Sequence, residues 1–389
     1  MTDHPDPFAD ASAPDPAPIG PRPPTPPVVS YPLPTVPAGV ASPRGDGLGD
    51  QPDIVPWGPP GSGKTTLLAT MLYMLRRRVN NPQRGLYYDV EPVDDEAREM
   101  LNREVGDLIG GKLPPPTRFD EIDKRGMRSK SFLLGFRDRG RNDMLGDGLL
   151  GHFHRLAVMD AAGEETNPNS PHSGPYWQRL RGARGVLMVI NGSAPNRLVK
   201  YRDGTARTYG SLLENFLDRV RQEFRAKPYL AICLAQADAA YGDPGQTYQT
   251  LTPEQVNNIN RTEQEPKEHF IRIVGRGAHI ALEQTMADRF RIFLTSATGW
   301  HRDERGNWCP NVTITEDGPR LLSYGDDWWP VGALYPLMWL FDKIEEDRFR
   351  EKRRGLLGKL LSRAYEKRIT NQKILQEKID LPPHHRYWL

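Results

Sequence analysis

The sequence predicts an α/β fold, a three-layer sandwich built on a mostly parallel sheet. Two observations predict it. From Asp53 onward, short apolar runs alternate with amphipathic segments, the pattern of strands and helices taken in turn. The first apolar run, Ile54-Val55-Pro56-Trp57, ends in a glycine-rich turn, after which Leu67, Leu68, Met71, Leu72 and Leu75 repeat at helical spacing.

In chain order, strands are expected at 53–57, 86–92, 130–137, 154–160, 185–191, 229–235 and 290–296. Helices are expected at 64–79, 94–109, 209–226, 265–287 and 333–345. The stretches 80–129, 239–265 and 299–330 are longer than ordinary connections and read as insertions that carry switch or partner surfaces. No internal repeat is visible.

Composition bounds the rest. Fourteen of the 37 prolines fall between Pro5 and Pro43, in a stretch with few large apolar residues, so residues 1–50 are expected to be a disordered tail. Residues 51–342 are expected to be one domain with insertions, and 343–389 a basic helical extension. Two cysteines, Cys233 and Cys309, supply neither a disulfide framework nor a cysteine-based zinc site, which fits a reducing compartment. The start of the chain lacks the basic and apolar regions of a signal peptide, and the longest apolar run, 331–341, is too short to span a membrane. A cytoplasmic location is expected. The formal net charge of +2 gives no nucleic-acid signature, although 39 of the 52 basic residues are Arg.

The turn Gly58-Pro-Pro-Gly61-Ser62-Gly63-Lys64-Thr65 matches G-x-x-x-x-G-K-[ST], a phosphate-binding loop. Glycines let backbone N–H groups turn inward around phosphates, Lys64 reaches the β and γ oxygens, and the Thr65 hydroxyl ligates Mg2+. Thr66 joins this nucleotide-binding set. A second element is Leu156-Ala-Val-Met-Asp160-Ala-Ala-Gly163-Glu164: an apolar strand ending in a carboxylate for the metal, then a glycine whose N–H can approach the γ-phosphate. A third segment ends Leu234-Ala-Gln236-Ala-Asp238, and a fourth is Leu294-Thr-Ser296-Ala297-Thr298.

In this order the four segments resemble the signatures of TRAFAC-class P-loop GTPases, across residues 53–341. The resemblance implies a P-loop NTPase sandwich in which 130–137 pairs antiparallel with 154–160. It implies that Asp238 accepts the N1 and N2 hydrogens of guanine, and that Ser296 and Ala297 form the turn whose Ala297 N–H meets O6. In particular, the chain is similar to predicted bacterial GTPases of the double-GTPase type, which carry D-x-x-G-E and are thought to act in multigene conflict systems. GTP and Mg2+ are therefore the expected cofactors, and a second GTPase or an activating protein is an expected partner.

The departures from that pattern bear on chemistry. Where the family has Asn-Lys-x-Asp, this chain has Ala235-Gln236-Ala237-Asp238, losing the Lys that covers the base and the Asn that braces the loop. A buried carboxylate still discriminates, because adenine leaves it unpaired. GTP is expected, with ATP or a permissive site as the alternative. Glu164 follows Gly163 where many relatives have a water-orienting Gln; a carboxylate there is repelled by the γ-phosphate unless a cation offsets it, so slow unaided turnover is expected. A non-hydrolysing nucleotide-binding module, and a P-loop ATPase or nucleotide kinase, are the other readings. Thr117, in a proline-rich segment before the strand at 130–137, is the expected switch threonine and metal ligand. Arg118 and Arg125 are candidate arginine fingers in cis.

Cys233, in an apolar strand, reads as core. Trp328, Trp329 and Trp339 read as packing or a protein interface. His152 and His154 share a strand face but lack a third ligand at diagnostic spacing. Leu356, Leu357, Leu360, Leu361, Ala364 and Tyr365 make an apolar stripe within 343–380, a segment with 12 Lys/Arg against 7 Asp/Glu. Protein packing is the expected use of this helix, with an anionic membrane surface as the alternative.

Overall fold

The computed structural model describes residues 52–77, 86–114, 129–138, 153–159, 163, 166–167, 173–193, 198–239, 252–261 and 264–353. Seven strands form one sheet: β1 (Ile54–Trp57), β2 (Leu86–Pro92), β3 (Ser129–Asp138), β4 (Phe153–Met159), β5 (Gly185–Asn191), β8 (Tyr229–Ala235) and β9 (Phe290–Leu294). Their order across the sheet is β2-β3-β4-β1-β5-β8-β9. The five strands from β4 to β9 run parallel. β3 is antiparallel to β4, as expected, and β2 adds a second antiparallel pairing, Leu86 to Asp138 through Pro92 to Phe132.

The central strands are apolar on both faces, and alternate residues serve the two cores. In β8, Leu230, Ile232 and Leu234 enter one core, while Ala231, Cys233 and Ala235 enter the other. β5 divides in the same way: Val186, Met188 and Ile190 on one side, Leu187 and Val189 on the other. The Cys233 thiol is fully buried, and burial pushes its pKa well above the ordinary value.

One face is covered by α1 (Lys64–Arg77), α2 (Asp95–Ile109) and α8 (Tyr335–Arg353), which share a core with β1 and the odd positions of β5 and β8. Asp94 caps α2 by accepting the Ala97 N–H at 2.7 Å, and its other oxygen accepts the Ser131 N–H of β3 at 3.0 Å. The opposite face carries α3 (Ser173–Gly182), α4 (Tyr209–Glu223), α5 (Pro253–Arg261), α6 (Gln264–Val274) and α7 (Arg276–Met286). Thr208 caps α4, and the buried Tyr209, Leu212, Leu213, Phe216, Leu217 and Val220 follow the i, i+3, i+4 rule.

Three differences from the sequence reading have local causes. The single helix expected at 265–287 is two, because Gly275 sits at φ +85° between α6 and α7, a conformation that ends a helix. α5 lies in a stretch read as an insertion; Thr252 and Gln255 form its reciprocal capping box, with Pro253 in the first turn. The segment 299–330 folds as two hairpins, β10 (Trp300–Arg302) with β11 (Trp308–Pro310) and β12 (Val312–Thr315) with β13 (Gly318–Leu321). Trp328 and Trp329 are buried there, and Trp328 stacks on Tyr73 of α1.

α8 runs without a break across residue 342, and Ile344 and Glu345 are buried. Its Arg348 pairs with Asp53, whose second oxygen accepts the Arg155 N–H at 3.0 Å, so the helix is tied to the entry of β1 and β4. Among the described residues no helix is long and apolar enough to cross a membrane. The apolar stripe at 356–365, and Arg118 and Arg125, lie outside the described residues.

Candidate nucleotide site

Four chain segments meet at the C-terminal edge of the parallel strands, where α/β sheets place ligands. The first is the turn from β1 to α1. Gly61 at φ +70° and Gly63 at φ +85° adopt the left-handed backbone that side chains resist, and this curls the loop. Gly58 has no room for a side chain: a Cβ there would lie 2.7 Å from the Val189 carbonyl oxygen. Lys64 bends back over the loop, donating to the Gly58 carbonyl at 3.1 Å. Thr65 and Thr66 stand half-buried in the first turn of α1, and the Ser62 hydroxyl is buried with no hydrogen-bond partner. A glycine-rich turn at a helix start, a lysine and an orphaned hydroxyl together fit a polyphosphate.

The second segment brings Gly163, at φ +81°, against that loop. A Cβ on Gly163 would fall 2.4 Å from Pro60 N and 2.9 Å from Pro59 O. Only glycine permits this approach. Behind it the Thr166 hydroxyl donates to the Gly163 carbonyl at 2.6 Å and meets the Tyr201 hydroxyl at 2.9 Å. Tyr201 belongs to a small hairpin of β6 (Val199–Lys200) and β7 (Ala206–Arg207), whose Asp203 and Thr205 receive the Asn167 amide. Thr166 and Asn167 are buried, and the hairpin holds this segment through the buried Thr166–Tyr201 hydroxyl pair and through Asn167 on the exposed Asp203.

The third and fourth segments join at Asp238. Its carboxylate accepts from the Ser296 hydroxyl at 2.6 Å and the Thr298 hydroxyl at 2.8 Å, and it is 3% exposed. Burial raises its pKa from the ordinary 3.8, while the two hydroxyls act in the opposite sense. Ser296 in turn accepts the Gly299 N–H at 2.8 Å, and its backbone pairs with Val331. Ala297 is half-buried beside it. Asn260 of α5 fixes the strand end just before: it donates to the Leu294 carbonyl at 2.9 Å and accepts the Leu294 N–H at 2.7 Å. Gln236 connects this corner to the first segment, its side-chain amide lying 3.9 Å from where a Gly63 Cβ would be.

Of the residues singled out from sequence, Gly58, Gly61, Ser62, Gly63, Lys64, Thr65, Thr66 and Gly163 lie together at one corner, and Asp238, Ser296 and Ala297 at the adjoining one. Thr117, Asp160 and Glu164 lie outside the described residues. Sequence reasoning missed Thr166, Tyr201 and Asn260, and also Ser193, whose hydroxyl meets the Gln236 side chain, with Asn191 beside it. None belongs to a motif, and all but the local Asn191–Ser193 pair act through contacts between distant parts of the chain.

No protein-family profile matches the chain, and no curated protein matches it. Among solved structures it is similar to the Saccharomyces cerevisiae Ski7 GTPase-like domain, which was solved bound to GDP and inorganic phosphate. That similarity has 14% identity and a TM-score of 0.30, and it covers 64% of this chain. The chain matches 43% of the length of that structure, and a likeness at this level carries no functional argument.

Proposed function

We propose that this domain binds a guanine nucleotide, hydrolyses GTP with Mg2+, and acts as a nucleotide-dependent switch. The observation that carries the reading is the meeting of Gly163 with the Pro59–Pro60 peptide of the phosphate loop. Two segments about a hundred residues apart in sequence, each resembling one half of a γ-phosphate site, touch through a glycine that tolerates no side chain.

In this reading the loop N–H groups and Lys64 hold the phosphates, and the Ser62 hydroxyl finds its missing partner there. Mg2+, when bound, would supply charge neutralisation to the phosphates. Thr65 is the described residue suited to hold it, with Thr117 and Asp160 as the further proposed ligands. Glu164 in place of an amide makes unaided turnover slow, so an activating partner or second GTPase sets the timing. The free lone pairs of Asp238 accept the paired donors of guanine, with Ser296 and Thr298 holding the carboxylate in place. As in the similar bacterial proteins, the role lies in a multicomponent system, and the basic segment after residue 342 is the proposed partner-binding region.

A competition titration tests this. Fluorescent GTP bound to the full chain with Mg2+ is challenged with unlabelled GTP and ATP, then repeated on Lys64→Ala and Asp238→Ala. GTP should displace the probe and ATP should not. Lys64→Ala should lose binding, and Asp238→Ala should bind both nucleotides equally. Tight binding of ATP without GTP competition would falsify the guanine reading, and phosphate release absent under all partner conditions would leave a binding module only.

A further inference from the structure

We infer that Ser193 is a positioning residue for the nucleotide: its hydroxyl, oriented by Asn191, holds the Gln236 side chain across Gly63 and so fixes the turn that carries Asp238. The inference rests on the reading of that corner as a guanine-nucleotide site.

Gln236 is one of two described non-glycine residues with positive φ, at +62°. A side chain in that conformation costs about 1–2 kcal/mol, so the surroundings have to impose it. The surroundings are present on three sides. Ala237 N–H donates to the Thr295 carbonyl at 3.1 Å, Ala239 N–H returns to the Gln236 carbonyl at 3.0 Å, and Gly192 N–H holds the Ala235 carbonyl at 2.8 Å. The remaining contact is between side chains, Ser193 Oγ to the Gln236 amide at 3.1 Å.

That contact decides which way the amide points. Asn191 Oδ1 accepts the Ser193 backbone N–H at 2.9 Å, so it is fixed as an oxygen, and it lies 2.7 Å from Ser193 Oγ. A serine hydroxyl has one proton. Without that proton between them, the two oxygens at 2.7 Å would repel, so Ser193 donates to Asn191. It then has only lone pairs to offer Gln236. As placed, Gln236 Oε1 faces Ser193, but the two ends of an amide are alike in shape, and the proton count turns its NH2 toward Ser193. The amide oxygen is left facing Gly63. Asn191 can orient the hydroxyl because it is itself immobile: it is 1% exposed, and its backbone N–H donates to the Tyr209 hydroxyl at 3.3 Å. The next carbonyl, Gly192, accepts from His269 Nε2 at 2.9 Å.

The consequence is a brace supplied from the neighbouring strand. Ala235 cannot brace the Gln236–Asp238 turn with its side chain, and Asn191 and Ser193 at the end of β5 do so instead. Losing the Ser193 hydroxyl removes the side-chain part of this hold and leaves the three backbone bonds, so the turn loosens and Asp238, two residues on, is held less firmly in register against Ser296.

The test uses the full chain with Ser193→Ala, Ser193→Thr, Gln236→Ala, Gln236→Glu and the Ser193→Ala/Gln236→Ala double variant. The readouts are affinities for fluorescent GTP and ATP, and thermal unfolding without nucleotide. Ser193→Ala should lower GTP affinity about three- to tenfold, the range of one net hydrogen bond, and should shrink the GTP-to-ATP ratio. Ser193→Thr should restore both, and the double variant should be no weaker than Gln236→Ala. In nucleotide-free protein Gln236→Glu should melt as low as Gln236→Ala, because a carboxylate has no proton for Ser193; a melt at or above wild type would overturn the orientation. A wild type without preference for GTP sinks the guanine reading and this inference with it. A wild type that prefers GTP, with Ser193→Ala keeping the same ratio, overturns this inference alone.

Discussion

Gly163 presses on Pro60 so closely that a β-carbon on Gly163 would sit 2.4 Å from the Pro60 nitrogen. Gly306 offers a matched control, since it has nearly the same φ, +79°, but has open space where its Cβ would be. Gly306→Ala is expected to cost only the backbone strain, about 1–2 kcal/mol. Gly163→Ala adds a steric collision with the 58–65 loop, and GTP affinity should fall at least tenfold while Gly306→Ala leaves it unchanged. Equal effects of the two substitutions on binding would show that the Gly163 contact has no bearing on the loop.

Asp238 makes the stability of the protein depend on pH in a direction opposite to that of a salt-bridged carboxylate. Burial raises its folded pKa above the 3.8 of an unfolded chain, so the folded state keeps a proton that the unfolded state has released. The stabilisation from this group is full below about pH 3.8 and is lost as pH rises through the folded value. Asp238→Asn removes that dependence. Urea unfolding at a series of pH values should show the Asn variant gaining on wild type as pH rises from about 4, until the folded carboxyl has released its proton, with guanine preference lost. A constant difference across that range would mean the carboxylate is not desolvated.

The parallel sheet was legible because each central strand is apolar on both faces and bounded by turns, as in Tyr229–Ala235. The turn at 58–65 was legible because its pattern is local to eight residues. The α5 helix carried a readable signal, Thr252-Pro253-Glu254-Gln255, whose cap and reciprocal glutamine mark a helix start. The β12–β13 hairpin carried one in Asp317-Gly318, with Gly318 at φ +109°. The clasp of Asp238 by Ser296 and Thr298 spans about sixty residues, and that of Gln236 by Ser193 spans 43. No spacing rule reports such contacts, because they exist only once β5, β8 and β9 lie side by side.

Asn260 closes the outer edge of the sheet. β9 is the last strand, and the Asn260 amide takes up both backbone groups of Leu294 that a further strand would have used. Asn260→Ala strands a buried N–H and a buried carbonyl, and is expected to cost roughly 2–4 kcal/mol in urea unfolding. Asn260→Asp still accepts the N–H but sets a charged oxygen against the Leu294 carbonyl. It should be at least as damaging at neutral pH and partly recover in acid, where the protonated carboxyl can donate. Loss under 0.5 kcal/mol for both variants would mean that water replaces the amide at this edge.

On the proposed reading, the contact behind Gly163 would tune recognition of the third phosphate separately from binding of the rest. Thr166 already donates its one hydroxyl proton to the Gly163 carbonyl, so in the 2.9 Å contact Tyr201 is the donor. Tyr201→Phe therefore removes the bond to Thr166 and keeps the ring, an expected cost of about 1 kcal/mol or more. Thr166→Val removes both side-chain contacts, although the Thr166 backbone N–H still reaches the Gly163 carbonyl at 3.1 Å. Neither side chain is proposed to touch nucleotide, so either acts only through where Gly163 stands. If Gly163 meets the γ-phosphate, Thr166→Val should weaken a non-hydrolysable GTP analogue more than GDP, lowering the ratio of their affinities about threefold or more, with Tyr201→Phe intermediate. Affinities for the two nucleotides that fall in equal proportion would assign the hairpin at 199–207 a structural role alone.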